Sequence, residues 1–273
     1  AGSPGFPEPF VTSRRLDQAL VSLGLTESRT KAQRRIAAGD VLVNGVIETK
    51  PSQRVAEADT LHLKGGADYV GRGALKMEAA LSYWPVSPDG KLCVDIGAST
   101  GGFTEVLLSR GARHVIALDV GHGQLHPSLD ADSRVTRCDG VNIRDVSRHW
   151  WEGLSTQAPG LIVVDVSFVS LTHVFPSAVA LWPDADWIAL VKPQFEVGRA
   201  QITGGIAANP DDHERAVHAV LDHARRLGLH VRGVMASPVT GEAGNREYLC
   251  WLSPTAEENP PEWGPEIHRL THP

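Results

Sequence analysis

The segment VDIGASTGGFT, residues 94–104, constrains the fold of this chain more than any other part of it. It joins the apolar stretch Leu92–Val94 through a glycine-rich turn to a helix-like stretch, Phe103–Ser109. In an α/β protein, such a turn stands at the carboxyl end of the first strand, where the sheet binds nucleotide-like ligands. Glycines there adopt backbone conformations that other residues avoid, and they let a ligand approach the main chain. The segment therefore predicts a cofactor site on an open, mostly parallel sheet.

The residues around this turn favour one cofactor class over others. The dinucleotide pattern G-x-G-x-x-G is broken by Ser99, and no Gly-Lys-Ser/Thr follows that would mark a phosphate-binding loop. The carboxylate of Asp95 would repel a pyrophosphate but suits the ammonium group of a methionine moiety. Two further strands end in Asp119 and Asp139, placed to accept from ribose hydroxyls and from an adenine amino group. The spacing to Asp119 alone would also fit NAD, but three successive carboxylates predict S-adenosylmethionine. The predicted cofactor residues are Asp95, Gly97, Ser99, Gly101, Gly102, Phe103, Asp119 and Asp139.

Charge is distributed unevenly along the 273 residues. The net charge is −6, yet residues 11–64 carry nine Lys/Arg against six Asp/Glu. The sequence therefore predicts a small basic module joined to a larger acidic one. No run of about 18 apolar residues is present, and the N-terminus lacks the pattern of a signal peptide. The cysteines have no metal-ligand spacing, so we expect reduced thiols, no metal, no membrane contact and a cytoplasmic protein.

Turn and helix signals divide the chain into five parts. The Asn44-Gly45 pair predicts a β-hairpin, and Asn209-Pro210 predicts the start of a helix that runs to Gly228. Alternating strand and helix signals predict an α/β fold with a Rossmann-like, doubly wound sheet after a small α+β domain. The predicted parts are a disordered N-terminus at 1–12, a small basic domain at 13–64, a linker at 65–71, a cofactor-binding domain at 72–253 and a loose tail at 254–273.

The order of features in the basic module is specific. RLD, SR, GDVLVNG and VAEADTL follow one another as in the RNA-binding domain first described in small-subunit ribosomal protein four, which this segment resembles. A cluster of basic residues can bind phosphates as a group. The resemblance implies that the RNA contacts are Arg15, Arg29, Lys31, Arg35 and Lys50.

Four charged residues stand beside apolar strand-like stretches of the larger domain. Asp165 and Lys192 each end a predicted strand, where doubly wound sheets bind ligands. Glu247 begins a late strand, and Lys76 lies on a helix before the first strand. Any one of these could be a surface charge or half of an ion pair. A lysine at the end of a fully apolar strand is costly to bury without a partner or a task.

The motifs GRGALK, DIGASTGGFTEVLL, ALDVGHGQL, VVDVSFVSL, LVKPQFEVG and GNREYLCWL, in this order, resemble the TlyA family of bacterial rRNA methyltransferases. The resemblance implies an FtsJ-like domain that transfers methyl from S-adenosylmethionine to cytidine 2′-hydroxyls of rRNA in one or both ribosomal subunits. It also implies a Lys-Asp-Lys-Glu tetrad at Lys76, Asp165, Lys192 and Glu247. We hypothesise that Lys192 accepts the hydroxyl proton and that Asp165 orients it.

Some positions depart from the family pattern. Gly71 stands where a serine is usual, and Ala74 stands where a second glycine or alanine is common. The loop TGGIAANP stands where the family often has a valine-rich stretch with an acidic residue or a histidine. These departures keep open a small-molecule O-methyltransferase, and a non-catalytic RNA-binding or ribosome-assembly protein is a further alternative. A pore-forming haemolysin activity has historically been attached to the family. The sequence contains no predicted membrane helix that would support it. We expect a monomer whose partner is rRNA or a ribosomal subunit.

Overall fold

The computed structural model describes residues 13–26, 28–56, 58–64, 70–241 and 243–273. The predicted disordered segment at 1–12 and residues 65–69 of the predicted linker lie outside these ranges. The described chain contains a small N-terminal unit and a larger α/β unit. The N-terminal unit is described up to residue 64, and the larger unit is described from Val70 onward.

Short antiparallel strands and two packed helices make up the described part of the N-terminal unit. Its elements are β1 (Arg14–Arg15), α1 (Leu16–Ser22), α2 (Arg29–Ala37), β2 (Val41–Val43), β3 (Val46–Ile47), β4 (Arg54–Val55) and β5 (Leu61–Leu63). Strands β3, β2 and β5 form one sheet in that order, and β1 pairs with β4. The turn between β2 and β3 has φ of 51° at Asn44 and 83° at Gly45. Positive φ at both residues is what a tight two-residue hairpin requires, so the predicted hairpin is confirmed.

The core of the N-terminal unit includes a side chain from the larger unit. Leu16, Leu20 and Ile36 are fully buried in one apolar cluster. Leu75, from helix α3 (Gly73–Tyr83), belongs to the same cluster. It lies against Gly24, where an added Cβ would stand 3.2 Å from the Leu75 side chain. Helix α3 therefore contributes to the N-terminal core as well as to the core of its own unit.

A seven-stranded sheet organises the larger unit. Its strands are β6 (Leu92–Ile96), β7 (His114–Asp119), β8 (Val135–Asp139), β9 (Leu161–Val164), β10 (Asp186–Val191), β13 (His230–Ala236) and β14 (Tyr248–Ser253). Their order across the sheet is β13-β14-β10-β9-β6-β7-β8. Only β14 among them runs antiparallel to its neighbours, β10 and β13. The predicted mostly parallel, doubly wound sheet is confirmed.

Both faces of this sheet are covered by helices. Side chains along β9 alternate between two apolar clusters, with Leu161 and Val163 in one and Ile162 and Val164 in the other. All four are fully buried, as strands covered on both faces require. The remaining helices and strands are α4 (Gly102–Ser109), α5 (Pro127–Asp130), α6 (Arg148–Glu152), α7 (Phe175–Leu181), β11 (Ile202–Thr203), β12 (Ile206–Ala207), α8 (Pro210–Arg226) and α9 (Trp263–Thr271).

The strand order places a crevice at the middle of the sheet. From β6 the chain builds outward through β7 and β8, and then crosses back to β9 and β10 on the other side. Ligands of doubly wound sheets bind at such a reversal, outside the carboxyl ends of the strands. Strands β6 and β9 are direct neighbours at this point. The glycine-rich turn after β6 and Asp165 after β9 therefore share one crevice.

Helix α8 begins where the sequence predicts it. The Asn209 side chain accepts a hydrogen bond of 3.0 Å from the amide of Asp211, and Pro210 occupies the first helical position. Both features are typical of helix N-termini. The helix ends at Arg226, and Gly228 follows it with φ of 89°.

The end of the chain differs from the predicted loose tail. Helix α9, Trp263–Thr271, packs against α8 and β13 and fully buries Ile267 and Thr271. Trp263, Ile267 and Leu270 recur at helical spacing and join the main apolar cluster. The prolines around this segment hide the pattern, although a proline in the first turn of a helix is compatible with it.

We predict that Ile267→Ala destabilises the protein by about 2–5 kcal/mol, because it leaves a cavity between α9 and the sheet. Chemical denaturation measures the effect. Leu154→Ala is the control, since that side chain is exposed and its loss changes stability by about 0.5 kcal/mol or less. Equal stability of the two variants would show that α9 does not dock as described.

Candidate active site

The turn after β6 is shaped by its close packing against the rest of the protein. Gly97, Ser99 and Gly101 have φ of 83°, 53° and 102°, which ordinary side chains disfavour. A Cβ on Gly97 would lie 2.1 Å from the backbone carbonyl oxygen of Asp165, and one on Gly102 would lie 2.7 Å from the amide nitrogen of Ala74. At these positions glycine is needed because protein backbone passes close by. The sequence suggested a different reason for these glycines, namely the close approach of a ligand.

Asp95 is a completely buried carboxylate beneath this turn. Its Oδ2 accepts a hydrogen bond of 2.7 Å from the hydroxyl of Thr104, on α4. Its Oδ1 has no hydrogen-bond partner among the described residues. Burial raises the pKa of Asp95 to about 7, because the charged form has lost its water. A buried carboxylate oxygen without a partner is the group that a bound cation or donor would satisfy.

Asp119 and Asp139 end the next two strands and are direct partners in the β7–β8 ladder. Asp119 accepts hydrogen bonds from the amides of Ser99 at 2.7 Å and Gly121 at 2.8 Å. Asp139 accepts from the amide of Gly123 at 3.0 Å and lies 3.3 Å from Nε of Arg137. These bonds fix the orientation of both carboxylates, and each oxygen has a second lone pair. The structure thus brings the three predicted aspartates to adjacent strand ends.

Phe103 has a different position from the other predicted cofactor residues. Its ring is buried in the cluster between α3, α4 and the sheet. A Cβ on Gly73 would come within 3.2 Å of that ring. Phe103 therefore supports the turn from inside, by packing α4 against α3.

A buried ion pair joins α3 to strand β14. Nζ of Lys76 donates to Oε2 of Glu247 at 2.7 Å, and the two side chains are only 7% and 2% exposed. A Cβ on Gly241 would lie 2.3 Å from the other carboxylate oxygen, so the 241 loop closes over the pair. The charges compensate each other in a site that little water reaches.

A second ion pair lies at the ends of β9 and β10. Nζ of Lys192 is 2.7 Å from Oδ1 of Asp165 and donates to the hydroxyl of Ser167 at 3.0 Å. An ammonium has three N–H groups, so one is left for a further acceptor. The Asp165 carboxylate also faces the first turn of α3, since a Cβ on Gly73 would lie 3.6 Å from its Oδ2.

The strand register brings the two pairs together. Ala189 of β10 pairs with Val164 of β9, and Val191 pairs with Tyr248 of β14. Lys192 directly follows β10, so it lies between Asp165, which directly follows β9, and Glu247, which directly precedes β14. The antiparallel direction of β14 is what puts the start of that strand, rather than its end, at the crevice.

Two of the departures from the family pattern have a physical explanation here. A Cβ on Gly71 would lie 2.3 Å from the hydroxyl oxygen of Thr100, so a serine would require the Thr100 side chain to shift. The variant loop forms the β11–β12 hairpin and is fastened by Asn245. The Asn245 side chain accepts from the amide of Ala207 at 3.0 Å and donates to the carbonyl of Gly205 at 2.8 Å. The loop is thereby tied to the segment that carries Glu247.

An aromatic pair and a carboxylate that the sequence did not point to lie beside the second ion pair. Phe168 is 90% exposed with φ of 64°, and its ring centroid lies 5.0 Å from that of Phe195. Glu196 accepts from the hydroxyl of Ser170 at 2.5 Å and from the amide of Leu171 at 2.9 Å. Burial raises the pKa of Glu196. Phe168 follows Asp165 by three residues and Glu196 follows Lys192 by four, and this closeness in sequence was the signal that could have identified them.

In the N-terminal unit, two of the predicted RNA contacts share one internal partner. Nε of Arg15 and Nε of Arg29 are each 3.0 Å from the carboxylate of Asp17, which is fully buried. The side chain of Gln33 also donates to it at 3.0 Å. The hydrogen bond from Arg15 is the main cause that lowers the pKa of Asp17. Arg15 and Arg29 therefore hold the fold of this unit together, whatever else they bind.

The other predicted RNA contacts lie at the surface or its margin. Lys31 and Lys50 are exposed. Arg35 is half-buried, lies 3.3 Å from Asp40 and donates to the carbonyl of Lys64 at 2.6 Å. The structure does not gather all five side chains into one cluster around Asp17. Within the described residues, no helix is long and apolar enough to cross a membrane.

Comparisons with known proteins agree with this architecture. Residues 69–253 match the model of the FtsJ-like methyltransferases, and residues 14–61 match that of the S4 domain. The chain belongs to the TlyA family of FtsJ-like methyltransferases. It is 44% identical to the 16S/23S rRNA (cytidine-2′-O)-methyltransferase TlyA of Mycobacterium tuberculosis over 87% of this chain and 89% of that protein.

Other relatives have different names. Hemolysin A of Brachyspira hyodysenteriae is 39% identical over 86% of this chain and 98% of that protein. A solved structure of a candidate hemolysin from Streptococcus thermophilus has a TM-score of 0.71 and 36% identity, covering 95% of this chain and 94% of that one. The family and both of its domains are therefore as the sequence predicted.

We predict that Lys76→Met destabilises the protein by about 3–5 kcal/mol, because it leaves the Glu247 carboxylate buried without its partner. The double variant Lys76→Met/Glu247→Leu should recover most of that loss, since no buried charge remains. A double-mutant cycle in denaturant measures the coupling. A single variant as stable as the parent protein would contradict the buried pair.

Proposed function

We propose that this chain is an S-adenosylmethionine-dependent methyltransferase that modifies the 2′-hydroxyl of cytidine in rRNA. The observation that carries the proposal is the Lys192–Asp165 pair, held beside Lys76 and Glu247 at the same sheet edge as the glycine-rich turn. The TlyA relative of M. tuberculosis carries this activity in its name. With such a substrate we also propose that the protein acts in the cytoplasm, as a monomer.

The residues at the strand ends fit S-adenosylmethionine. The partnerless Oδ1 of Asp95 suits the ammonium of its methionine part. Asp119 and Asp139, held by backbone amides, have lone pairs left for the ribose hydroxyls and the adenine amino group. Gly97, Ser99, Gly101 and Gly102 shape the turn between these carboxylates. When bound, the cofactor supplies an electrophilic methyl group on a sulfonium.

The tetrad supplies what a ribose hydroxyl lacks as a nucleophile. To act as a nucleophile, the hydroxyl must lose its proton, and its oxygen must be held in line with the methyl group. Asp165 and Ser167 fix the nitrogen of Lys192 at the crevice. The neutral amine form of Lys192 can accept the hydroxyl proton, and Asp165 then stabilises the resulting ammonium. Glu247 and Lys76 compensate each other nearby, so the whole set stays nearly neutral.

RNA is the substrate that best accounts for the remaining surfaces. The S4 unit presents Lys31 and Lys50 to solvent and packs against Leu75 of α3, the helix that carries Lys76. Phosphates bind such basic surfaces in a salt-dependent way. Beside the tetrad, the exposed ring of Phe168 offers a face on which an unstacked base can lie. A small-molecule methyltransferase needs neither feature, and a non-catalytic RNA-binding protein does not need the tetrad.

The function is tested with labelled S-adenosylmethionine and two substrates offered separately: isolated ribosomal subunits and a small-molecule extract. We expect label on the ribose of a cytidine in rRNA, which also gives the subunit preference. Label only on small molecules would instead establish the small-molecule alternative. Cofactor binding without any transfer would establish the non-catalytic alternative.

We predict that Lys192→Ala lowers the rate of methyl transfer by about 100-fold or more, because the hydroxyl loses its proton acceptor. Binding of S-adenosylhomocysteine should stay unchanged, since the three aspartates are untouched. Lys91→Ala, at the opposite end of β6, is the matched control and should keep full activity. Substantial turnover by Lys192→Ala would show that another group accepts the proton.

We predict that affinity for S-adenosylhomocysteine falls as the pH is lowered from 7 to 5.5. The pKa of Asp95 is raised to about 7, so a proton and the ligand ammonium compete for the same carboxylate below that pH. The loss is at most about tenfold per pH unit, and affinity levels off above pH 8. Calorimetry measures it. The Asp95→Asn variant should bind weakly and without this dependence; a flat profile for the parent protein would exclude the contact.

A further inference from the structure

A cluster of metal-ligating side chains lies far from the tetrad, where α9 meets α8. Glu214, His268 and His272 each offer one ligand atom, and these atoms all lie within 4.8 Å of one another. His268 lies in the last turns of α9 and His272 directly follows the helix, and their two rings stack with centroids 4.2 Å apart. Glu214 projects toward them from the first half of α8.

The contacts within the cluster converge on one carboxylate oxygen. Oε2 of Glu214 lies 2.9 Å from Nδ1 of His268 and 3.4 Å from Nδ1 of His272. The opposite nitrogen of His272, Nε2, is 2.8 Å from Oδ1 of Asp211. Metal-binding histidines typically donate their second N–H to a carboxylate in this way, which fixes the ring and makes the ligating nitrogen more basic.

We propose that Glu214, His268 and His272 form a binding site for a divalent transition-metal ion of the zinc class, with Asp211 as the outer carboxylate. Two imidazole nitrogens and one carboxylate are ligands that zinc prefers, and they leave a fourth position open. The cluster is accessible from solvent on the side of His268, whose side chain is 63% exposed. Hard cations such as Mg²⁺ select all-oxygen ligand sets and do not compete here.

Binding exchanges one set of contacts for another. Nδ1 of His272 lies 3.1 Å from the carbonyl oxygen of His268 and 3.0 Å from the hydroxyl of Thr271. The ion replaces these contacts and displaces any proton from the two Nδ1 atoms, because a ligating imidazole is neutral. In return it joins α8 to α9, which are already anchored by the buried Ile267.

Helix α9, which carries His268, also contacts the segment that contains Glu247. The guanidinium of Arg246, the residue before it, donates to the carbonyl of Leu270 in the last turn of α9 at 3.0 Å. The spacing of the cysteines gave no indication of this site. Here the ligands are a glutamate and two histidines, the nearer of which is 54 residues away in sequence, and they meet only when α9 docks.

The test is calorimetric titration of the full chain, without an affinity tag, with zinc chloride. We expect one saturable site per chain. His268→Gln should weaken binding at least about tenfold, and Asp211→Asn by about tenfold, because the ligand or its orienting partner is lost. His268 is exposed, so its variant folds normally, which circular dichroism verifies. His230→Gln, at another exposed histidine, is the matched control and should bind as the parent protein does.

Three results would overturn the assignment. They are the absence of saturable binding, unchanged affinity in His268→Gln, and an equal loss in His230→Gln, which would place the ion elsewhere. Millimolar Mg²⁺ should leave the zinc isotherm unchanged, and displacement by Mg²⁺ would contradict nitrogen ligation. None of these readouts depends on methyl transfer, so the metal site is tested independently of the proposed function.

Discussion

The buried ion pair between Lys76 and Glu247 holds the active region together. It crosses from α3, before the first sheet strand, to β14, the antiparallel strand inserted between β10 and β13. Burying a single charge is energetically costly, so the Lys76 ammonium and the Glu247 carboxylate each require the other to remain buried. The residue before Lys76, Leu75, is part of the S4 core, and Gly73 faces Asp165. One helix thus connects the RNA-binding unit to both ion pairs.

The cofactor side of the crevice depends on backbone rather than on charge pairs. The turn after β6 passes so close to the end of β9 that Gly97 has no room for a side chain. Amides of that turn and of the following loops hold Asp119 and Asp139 in place. Asp95 has no comparable support for its Oδ1. The structure therefore combines two well-anchored carboxylates with one whose ionisation a ligand can change.

Local signals predicted most of the fold, because apolar strands, Asn44-Gly45 and Asn209-Pro210 act through neighbouring residues. The strand-end positions of the tetrad followed from the same patterns together with the family resemblance. Contacts between distant segments were not predictable. The sharing of Asp17 by Arg15 and Arg29, the docking of α9 and the backbone packing at Gly97 arise only in three dimensions.

The late position of β14 in the chain affects when the site becomes complete during synthesis. The strands that carry Asp95, Asp119 and Asp139 are finished by residue 139, whereas Glu247 comes more than 100 residues later. A growing chain therefore contains every strand-end carboxylate of the cofactor crevice well before it contains the partner of Lys76. Until β14 enters between β10 and β13, Lys76 has no counter-charge there. The buried ion pair can therefore form only after most of this domain has been synthesised.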